Sequence, residues 1–438
     1  MTQMRAPESV ATATSSGLSP AVKRLRWWFV ALLVLGGIVN YLDRSTLSVG
    51  NTTIASELGL SNTEMGLLLS AFSWPYAIAN LPAGFLVDRF GPKRMYAGAA
   101  TAWSAVTLLT ATARAFGPLY AFRVLLGVAE SPFFTSGLKV ANRWYAKDER
   151  SLPISLINTG SQIANAIAPP LLTWLLLTFD WEGMFVAVGV LGVVLVAVWL
   201  LSYRDPSHDE ALAIKGAEAL AAEDAAEGEQ KSSLRTWGGL LKEANTWFMV
   251  LGAFGIFYTV WVYLTWLPSY LETDQGFSLS TAGWVAALPY LCGVLGVLVG
   301  GGTSAALVRS GMPVLRARKL PIVVGATLAA ASVLPVAYVS STGLTIVLLC
   351  LGYFFSQVPI GVIWTLASDV APAHQVASLG AIQNFGGFVG AAFAPVVTGW
   401  ILDATGSYSL VFLVGGILLL VGAVSYGAFV RDRKGVLA

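Results

Sequence analysis

Charge is scarce in this chain of 438 residues: Asp, Glu, Lys and Arg make up 11% of it, against roughly 25% in ordinary soluble domains. That shortage excludes an ordinary soluble enzyme. There are only two histidines and two cysteines, too few for a metal-ligand cluster. Both cysteines, Cys292 and Cys350, lie in apolar stretches, which argues against a disulfide framework and suggests buried small hydrophobes. The N-terminus lacks the charged region, short apolar core and cleavage site of a signal peptide, so the first apolar helix is expected to stay in the mature protein. The formal charge is only +2, and the basic residues sit in short loops between apolar runs. That placement describes membrane topology and argues against a nucleic-acid partner.

What is abundant is hydrocarbon: 56% of residues are hydrophobic, with a mean hydropathy of +0.70. Apolar stretches of membrane-spanning length fall near residues 27–49, 64–87, 94–113, 118–141, 151–178, 182–203, 246–271, 280–308, 320–340, 343–368, 374–402 and 407–430, since about 20 helical residues cross ~30 Å of hydrocarbon. The fold class is therefore an all-α integral membrane protein with twelve transmembrane helices. Residues 1–22, rich in Ser, Thr and Ala, are expected to form a disordered tail. Residues 23–203 form one six-helix bundle, 204–245 an Ala/Glu-rich linker that is partly helical, and 246–438 a second six-helix bundle with a short tail. Of the 26 Lys and Arg residues, 22 fall in the tails and the even-numbered connections and one, Arg114, in an odd-numbered connection, which places both termini in the cytoplasm. The halves begin 219 residues apart, at Trp27 and Thr246, and Asn165 and Asn384 share that spacing. A weak internal repeat is the result.

Chemistry has few places to reside. A carboxylate at mid-bilayer costs a few kcal/mol and persists only with a partner or a function. Asp43 and Glu130 are the two acidic residues at such depth, and Arg44, Arg123 and Lys139 are the bases within spans. With a rise of ~1.5 Å per residue, Asp43 lies about 24 Å in from the start of helix one, while Arg123 and Glu130 lie about 8 and 18 Å along helix four from the opposite surface. Arg123 and Glu130, two turns apart, share a helical face. Pairing of Asp43 with Arg123 and of Arg44 with Glu130 is natural if helices one and four are neighbours. The four charges sum to zero, so an entering anion leaves an unbalanced negative charge unless a carboxylate takes up a proton. Structural ion pairing is the bland alternative, though buried pairs are seldom kept for stability alone. Lys139 should snorkel to the interface. Tyr41 and Tyr76 offer hydroxyls to a substrate. In helix five, Ser161, Gln162 and Asn165 serve either as ligands or as interhelical hydrogen bonds, and Gln383 and Asn384 in helix eleven carry the same choice. Among the 15 tryptophans, many are interface anchors and Trp364 alone reads as a lining residue.

These segments carry a resemblance. GFLVDRFGPKR after helix two is similar to the signature loop of the major facilitator superfamily. NYLDRSTLSV, FRVLLGVAESPFF, NRWYAKDER, LTWLPSYL and IQNFGGFVGAAFAPVVTG resemble the anion:cation symporter family within it, in its sugar-acid, galactonate- and glucarate-transporter-like branch. The likeness extends over residues 25–432. It implies the major facilitator fold, alternating access, and a monomer in a bacterial inner membrane. It also implies Asp43 and Glu130 as the protonatable pair, Arg44 and Arg123 as counter-ions, Arg44 as the attractor of the substrate carboxylate, and Tyr76, Trp364 and Asn384 at substrate-contact positions. Asp88, Arg89 and Arg94 would gate against helix eleven. One departure is Ser161, where relatives often have Gln, with Gln162 displaced by one residue. The expectation is a proton-coupled importer of a small organic anion, a sugar acid such as galactonate, glucarate, galactarate or a hexuronate, needing no cofactor beyond the proton and making or breaking no covalent bond. Aromatic carboxylates of the hydroxyphenylacetate and phthalate type are the alternative substrates. Drug/proton antiport ranks behind both, because helix five, LINTGSQIANAIAPPLL, lacks the antiporters' Gly-Pro motif.

Overall fold

The computed structural model describes residues 19–146, 149–216, 239–370 and 376–431. Fourteen α-helices are found among them: α1 (Pro20–Val49), α2 (Asn51–Leu58), α3 (Asn62–Ser70), α4 (Ser73–Thr110), α5 (Phe116–Glu130), α6 (Pro132–Trp144), α7 (Ser151–Ser202), α8 (His208–Lys215), α9 (Ala244–Thr273), α10 (Leu279–Arg309), α11 (Val314–Val333), α12 (Thr342–Val370), α13 (Val376–Thr405) and α14 (Ser409–Val424). Eight helices among the described residues are long and apolar enough to cross a membrane. The count reaches twelve spans because chain reversals sit inside or between the helices. α7 has 52 residues, about 78 Å at the α-helical rise, and breaks at Asp180 (φ 58) into two spans. α4 breaks at Gly91 (φ 77), in the left-handed region that favours glycine. Its charged turn, with Asp88, Arg89, Lys93 and Arg94, separates the second span, α3 with the first part of α4, from the third. The fourth span is divided between α5 and α6 by Ser131 and Pro132.

Several boundaries differ from the sequence reading. α1 starts at Pro20, capped by the Ser19 hydroxyl, so residues 20–22 belong to a helix; most of the expected tail lies outside the described residues. In the linker, α8 is helical behind a Ser207/Glu210 capping box; residues 217–238 lie outside the described residues.

Packing repeats between the halves. α1 lies along α7 as α9 lies along α13, and α4 packs on α5 much as α10 packs on α12. The close approaches recur as well: Gly160 of α7 meets the Val34 carbonyl of α1, and Gly390 of α13 meets the Phe254 carbonyl of α9. Between the halves, α3 packs on α13 and α7 on α10. Hydrogen bonds crossing between the halves among the described residues gather at one end, the end opposite the chain termini, called distal below. Ser48 Oγ donates to the Thr265 carbonyl (2.9 Å), Thr52 Oγ1 donates to Glu272 (2.8 Å), and Asn62 and Thr63 donate to Asp403. At the terminal end, ion pairs within the N-terminal half include Arg26–Glu149, Lys139–Asp88 and Arg143–Asp205.

Candidate functional site

The isolated charges of the N-terminal spans converge. α1 carries Asn40, Tyr41, Asp43 and Arg44; α5 carries Arg123 and Glu130. Pro132 has no N–H to donate, so the Val128 carbonyl accepts instead from the Ser131 amide (3.3 Å) and hydroxyl (2.9 Å). α5 thus ends at Glu130, whose side chain is fully buried against α1. Arg44 Nε donates to Glu130 Oε2 at 2.7 Å. Arg123 Nη2 reaches the Arg44 main-chain carbonyl at 3.2 Å.

The expected Asp43–Arg123 pair is replaced by a different contact. Asp43 Oδ1 accepts from the Thr107 hydroxyl of α4 at 2.6 Å, and no ion pair within 4 Å joins Asp43 to Arg123 among the described residues. Depth along two helices says nothing of azimuth, and Asp43 turns toward the third span. Lys139 pairs with Asp88 at 3.1 Å at the terminal end of the bundle, because α6 brings it beside the charged turn of α4.

Four aromatic rings shape the surroundings of Arg44. Its guanidinium lies 4.6 Å from the Tyr41 ring centroid, 4.5 Å from Phe72 and 4.8 Å from Tyr76. Tyr76 in turn packs at 5.0 Å on Phe388 of α13, which also faces Phe257 and Trp261 of α9. The cation is therefore surrounded by three rings of its own half, one of which, Tyr76, meets a ring of the other half. Several buried polar atoms here have no hydrogen-bond partner among the described residues: Asp43 Oδ2, Arg44 Nη2, Arg123 Nε and Nη1, Glu130 Oε1, and both amide atoms of Asn40. Such atoms are rare in a structural core, and together they offer donors and acceptors to a polar, charged guest.

Other expected residues are not hydrogen-bonded to the charged cluster among the described residues. Ser161 is buried and donates to the Asn158 carbonyl of its own helix (2.7 Å); Gln162 is half-buried. Asn384 is half-buried one turn before Phe388, and so on its face of α13. Gln383 is buried, donating to the Ile363 carbonyl (3.2 Å). Trp364, 46% exposed, lies eleven residues, three turns, beyond Tyr353 on α12 and shares its face. Trp261 of α9 packs on Phe388 of α13, a contact that only the α9–α13 packing reveals. The two cysteines are free and half-buried rather than fully buried. Asp88 has a side chain 65% exposed, Arg89 stacks on Phe90 at 5.5 Å, and Arg94 is exposed. Helix eleven, against which they were expected to gate, is described only from Val376 onward, as α13.

Sequence reasoning missed Asn40, Phe72, Thr107, Trp261 and Phe388. None departs from the composition of a membrane helix, so nothing marks it until the helices are packed.

The sequence matches the Major Facilitator Superfamily over residues 33–395. It is 38% identical over 414 residues to a probable L-galactonate transporter of Escherichia coli (strain K12), covering 94% of this chain and 91% of that protein. It is 32% identical over 441 residues to a probable galactarate/D-glucarate transporter of Bacillus subtilis (strain 168), covering 96% of each. In fold it is similar to a bacterial homologue of the human lysosomal transporter Spinster in an inward-facing, occupied conformation, with a TM-score of 0.78, 16% identity, and coverage of 96% of this chain and 99% of that one.

Proposed function

Because the chain belongs to the Major Facilitator Superfamily, as a membrane-spanning transporter and not an enzyme, we propose that it imports a sugar acid together with protons across a bacterial inner membrane by alternating access. The substrate class is galactonate, glucarate, galactarate or a hexuronate, in line with the names of its relatives. The observation that carries the proposal is Arg44. Glu130 holds it through Nε alone, while Nη2 is unpartnered among three aromatic rings. A guanidinium so presented matches a carboxylate in geometry and charge.

Coupling follows from electrostatics. Asp43, Arg44, Arg123 and Glu130 sum to zero net charge. A carboxylate arriving at Arg44 competes with Glu130, and the cluster then carries excess negative charge in a low-dielectric interior. A proton on Glu130 or Asp43 restores neutrality and lets the loaded carrier reorient. Arg123, anchored on the Arg44 carbonyl, keeps positive charge near Asp43. Tyr41 and Tyr76, whose rings flank Arg44, and Asn384, one turn before Phe388, would offer hydroxyl and amide contacts to the polyol. The excess of basic residues in the tails and even-numbered connections assigns the terminal end to the cytoplasm. The hydrogen-bonded distal end is then the periplasmic face, and the conformation faces inward. Asp88, Arg89 and Arg94 would act at the cytoplasmic end when it closes.

Proton influx, followed by a trapped pH dye in proteoliposomes of the purified protein, tests this. Galactonate, glucarate or glucuronate should acidify the lumen and neutral galactose should not. Acidification by hydroxyphenylacetate or phthalate alone would replace the substrate class, and silence to every acid would overturn the coupled-import reading.

A further inference from the structure

A helix leaves its first four N–H groups without partners in the helix. At the start of α3 these belong to Ser61, Asn62, Thr63 and Glu64, with the first helical bond running from the Met65 amide to the Ser61 carbonyl. α3 satisfies two of them itself through a capping box: Glu64 N donates to Ser61 Oγ (3.2 Å) and Ser61 N donates to Glu64 Oε2 (2.9 Å). The other two are satisfied from the opposite half of the molecule. Asn62 N donates to Asp403 Oδ1 (3.1 Å) and Thr63 N to Asp403 Oδ2 (2.8 Å). The Asn62 amide and the Thr63 hydroxyl donate to the same carboxylate. A negative charge at a helix N-terminus is also favoured by the helix dipole. One turn before Asp403, Gly399 lies so close to the Asn62 carbonyl that no side chain fits, so the bare backbone there lets the carboxylate reach across.

The surrounding segment repeats a pattern. G-W-I-L-D-A-T-G (399–406) has the form of G-F-L-V-D-R-F-G (84–91), with a terminal glycine at positive φ in both, Gly406 (φ 65) and Gly91 (φ 77). Asp88 stands at the terminal end and Asp403 at the distal end. The same short motif therefore presents a carboxylate at each face of the bundle.

We propose that Asp403 is a gating residue of the transport cycle, a latch that holds the distal end shut by completing the N-terminal cap of α3 and that must release when the halves part. This rests on the rocking of the halves proposed for transport. Release leaves the Asn62 and Thr63 amides to water, which reaches them through the adjoining cavity of about 340 Å³ lined by Asn51, Thr52, Asn62, Ser269, Asp274 and Tyr408. Hydrated amides and carboxylate make the open state accessible, so the latch biases the equilibrium without freezing it.

The test reads the movement at a site the latch does not touch. Ser48 is buried and bonds Thr265 across the α1–α9 contact, a different helix pair from α3 and α13. In the full chain, with Cys292 and Cys350 replaced by alanine and Ser48→Cys introduced, a membrane-impermeant maleimide is applied from the distal side. Asp403→Asn and Asp403→Ala should each speed alkylation at position 48 several-fold, with Thr63→Val giving a smaller increase. If Asp403 merely steadied the end of α3, position 48 would react at the unchanged rate, and that result in both Asp403 variants overturns the proposal. Asp403→Asn should also lower KM for substrate offered from the distal side while lowering kcat. Failure of the transport reading is seen separately: no labelled sugar-acid counterflow in the wild-type chain removes the substrate assignment, while the alkylation rates still report on the latch.

Discussion

The two six-helix halves share an architecture and divide the chemistry unequally. Among the described residues, the N-terminal half buries Arg26, Asp43, Arg44, Arg123 and Glu130, whereas the C-terminal half buries no charged side chain at all. Its interior is polar by hydroxyl and amide, with the Tyr353 ring in contact with those of Tyr263 and Tyr290 and Gln357 buried beside the Gly293–Gly296 turn of α10. Backbone packing such as the glycine–carbonyl contacts of Gly160 and Gly390 is compatible with either content. Pseudo-symmetry therefore specifies how helices approach and leaves each half free to specialise. Here one half holds the buried charge, and the other supplies rings and polar contacts.

The sharpest way to break this comparison is to discharge the N-terminal half. Arg44→Ala should reduce sugar-acid binding at least a hundredfold by calorimetric titration; near-native affinity would refute the role given to Arg44. Removing one partner of a buried ion pair also destabilises by roughly 3–5 kcal/mol. An Arg44→Met, Glu130→Gln double variant should recover much of the lost thermal stability without recovering binding, which separates folding from function. Next in size is Glu130→Gln. It should keep labelled substrate counterflow and lose the accumulation driven by a pH gradient, and intact accumulation would take Glu130 out of the coupling role.

Variants of the C-terminal half sharpen the contrast from the other side. Tyr353→Phe removes a buried hydroxyl that has no hydrogen-bond partner, so folding should be unaffected. KM should move no more than a few-fold, with the number of protons per substrate unchanged. A changed proton stoichiometry would mean that coupling extends across both halves.

The smallest effect lies outside the membrane. Arg204 clasps Glu210 through two hydrogen bonds (2.6 and 2.7 Å), and chiefly by that contact the Glu210 carboxyl is pulled down to about 2 from an ordinary value of 4.5. A lowered folded-state value stabilises above the unfolded value and is lost as pH falls from about 4.5 through 2. The pair is largely solvent-exposed, so the contribution is a few tenths of a kcal/mol. The protection of α8 amides relative to their intrinsic exchange rate should fall modestly between pH 6 and pH 3, and Glu210→Gln should remove that pH dependence of protection.

Asp43, Arg44, Arg123 and Glu130 were legible from the sequence alone because an ion in an apolar run is conspicuous. The expected pairing of Arg44 with Glu130 is present. Azimuth was not legible, and Asp43 consequently meets Thr107 instead of Arg123. Residues that are ordinary in a membrane helix, such as Phe72 and Phe388, gave no warning of the ring cluster between the halves. The repeated G-x-x-x-D-x-x-G at 84–91 and 399–406 was visible in the letters, yet only the α3 cap shows what its second carboxylate holds. Hydrophobicity and helical rise are one-dimensional, and by themselves they determined that this chain spans a membrane about twelve times with its charges confined to a few depths. The partner each charge meets depends on how helices rotate and pack against neighbours distant in sequence, and that the tertiary structure alone decided.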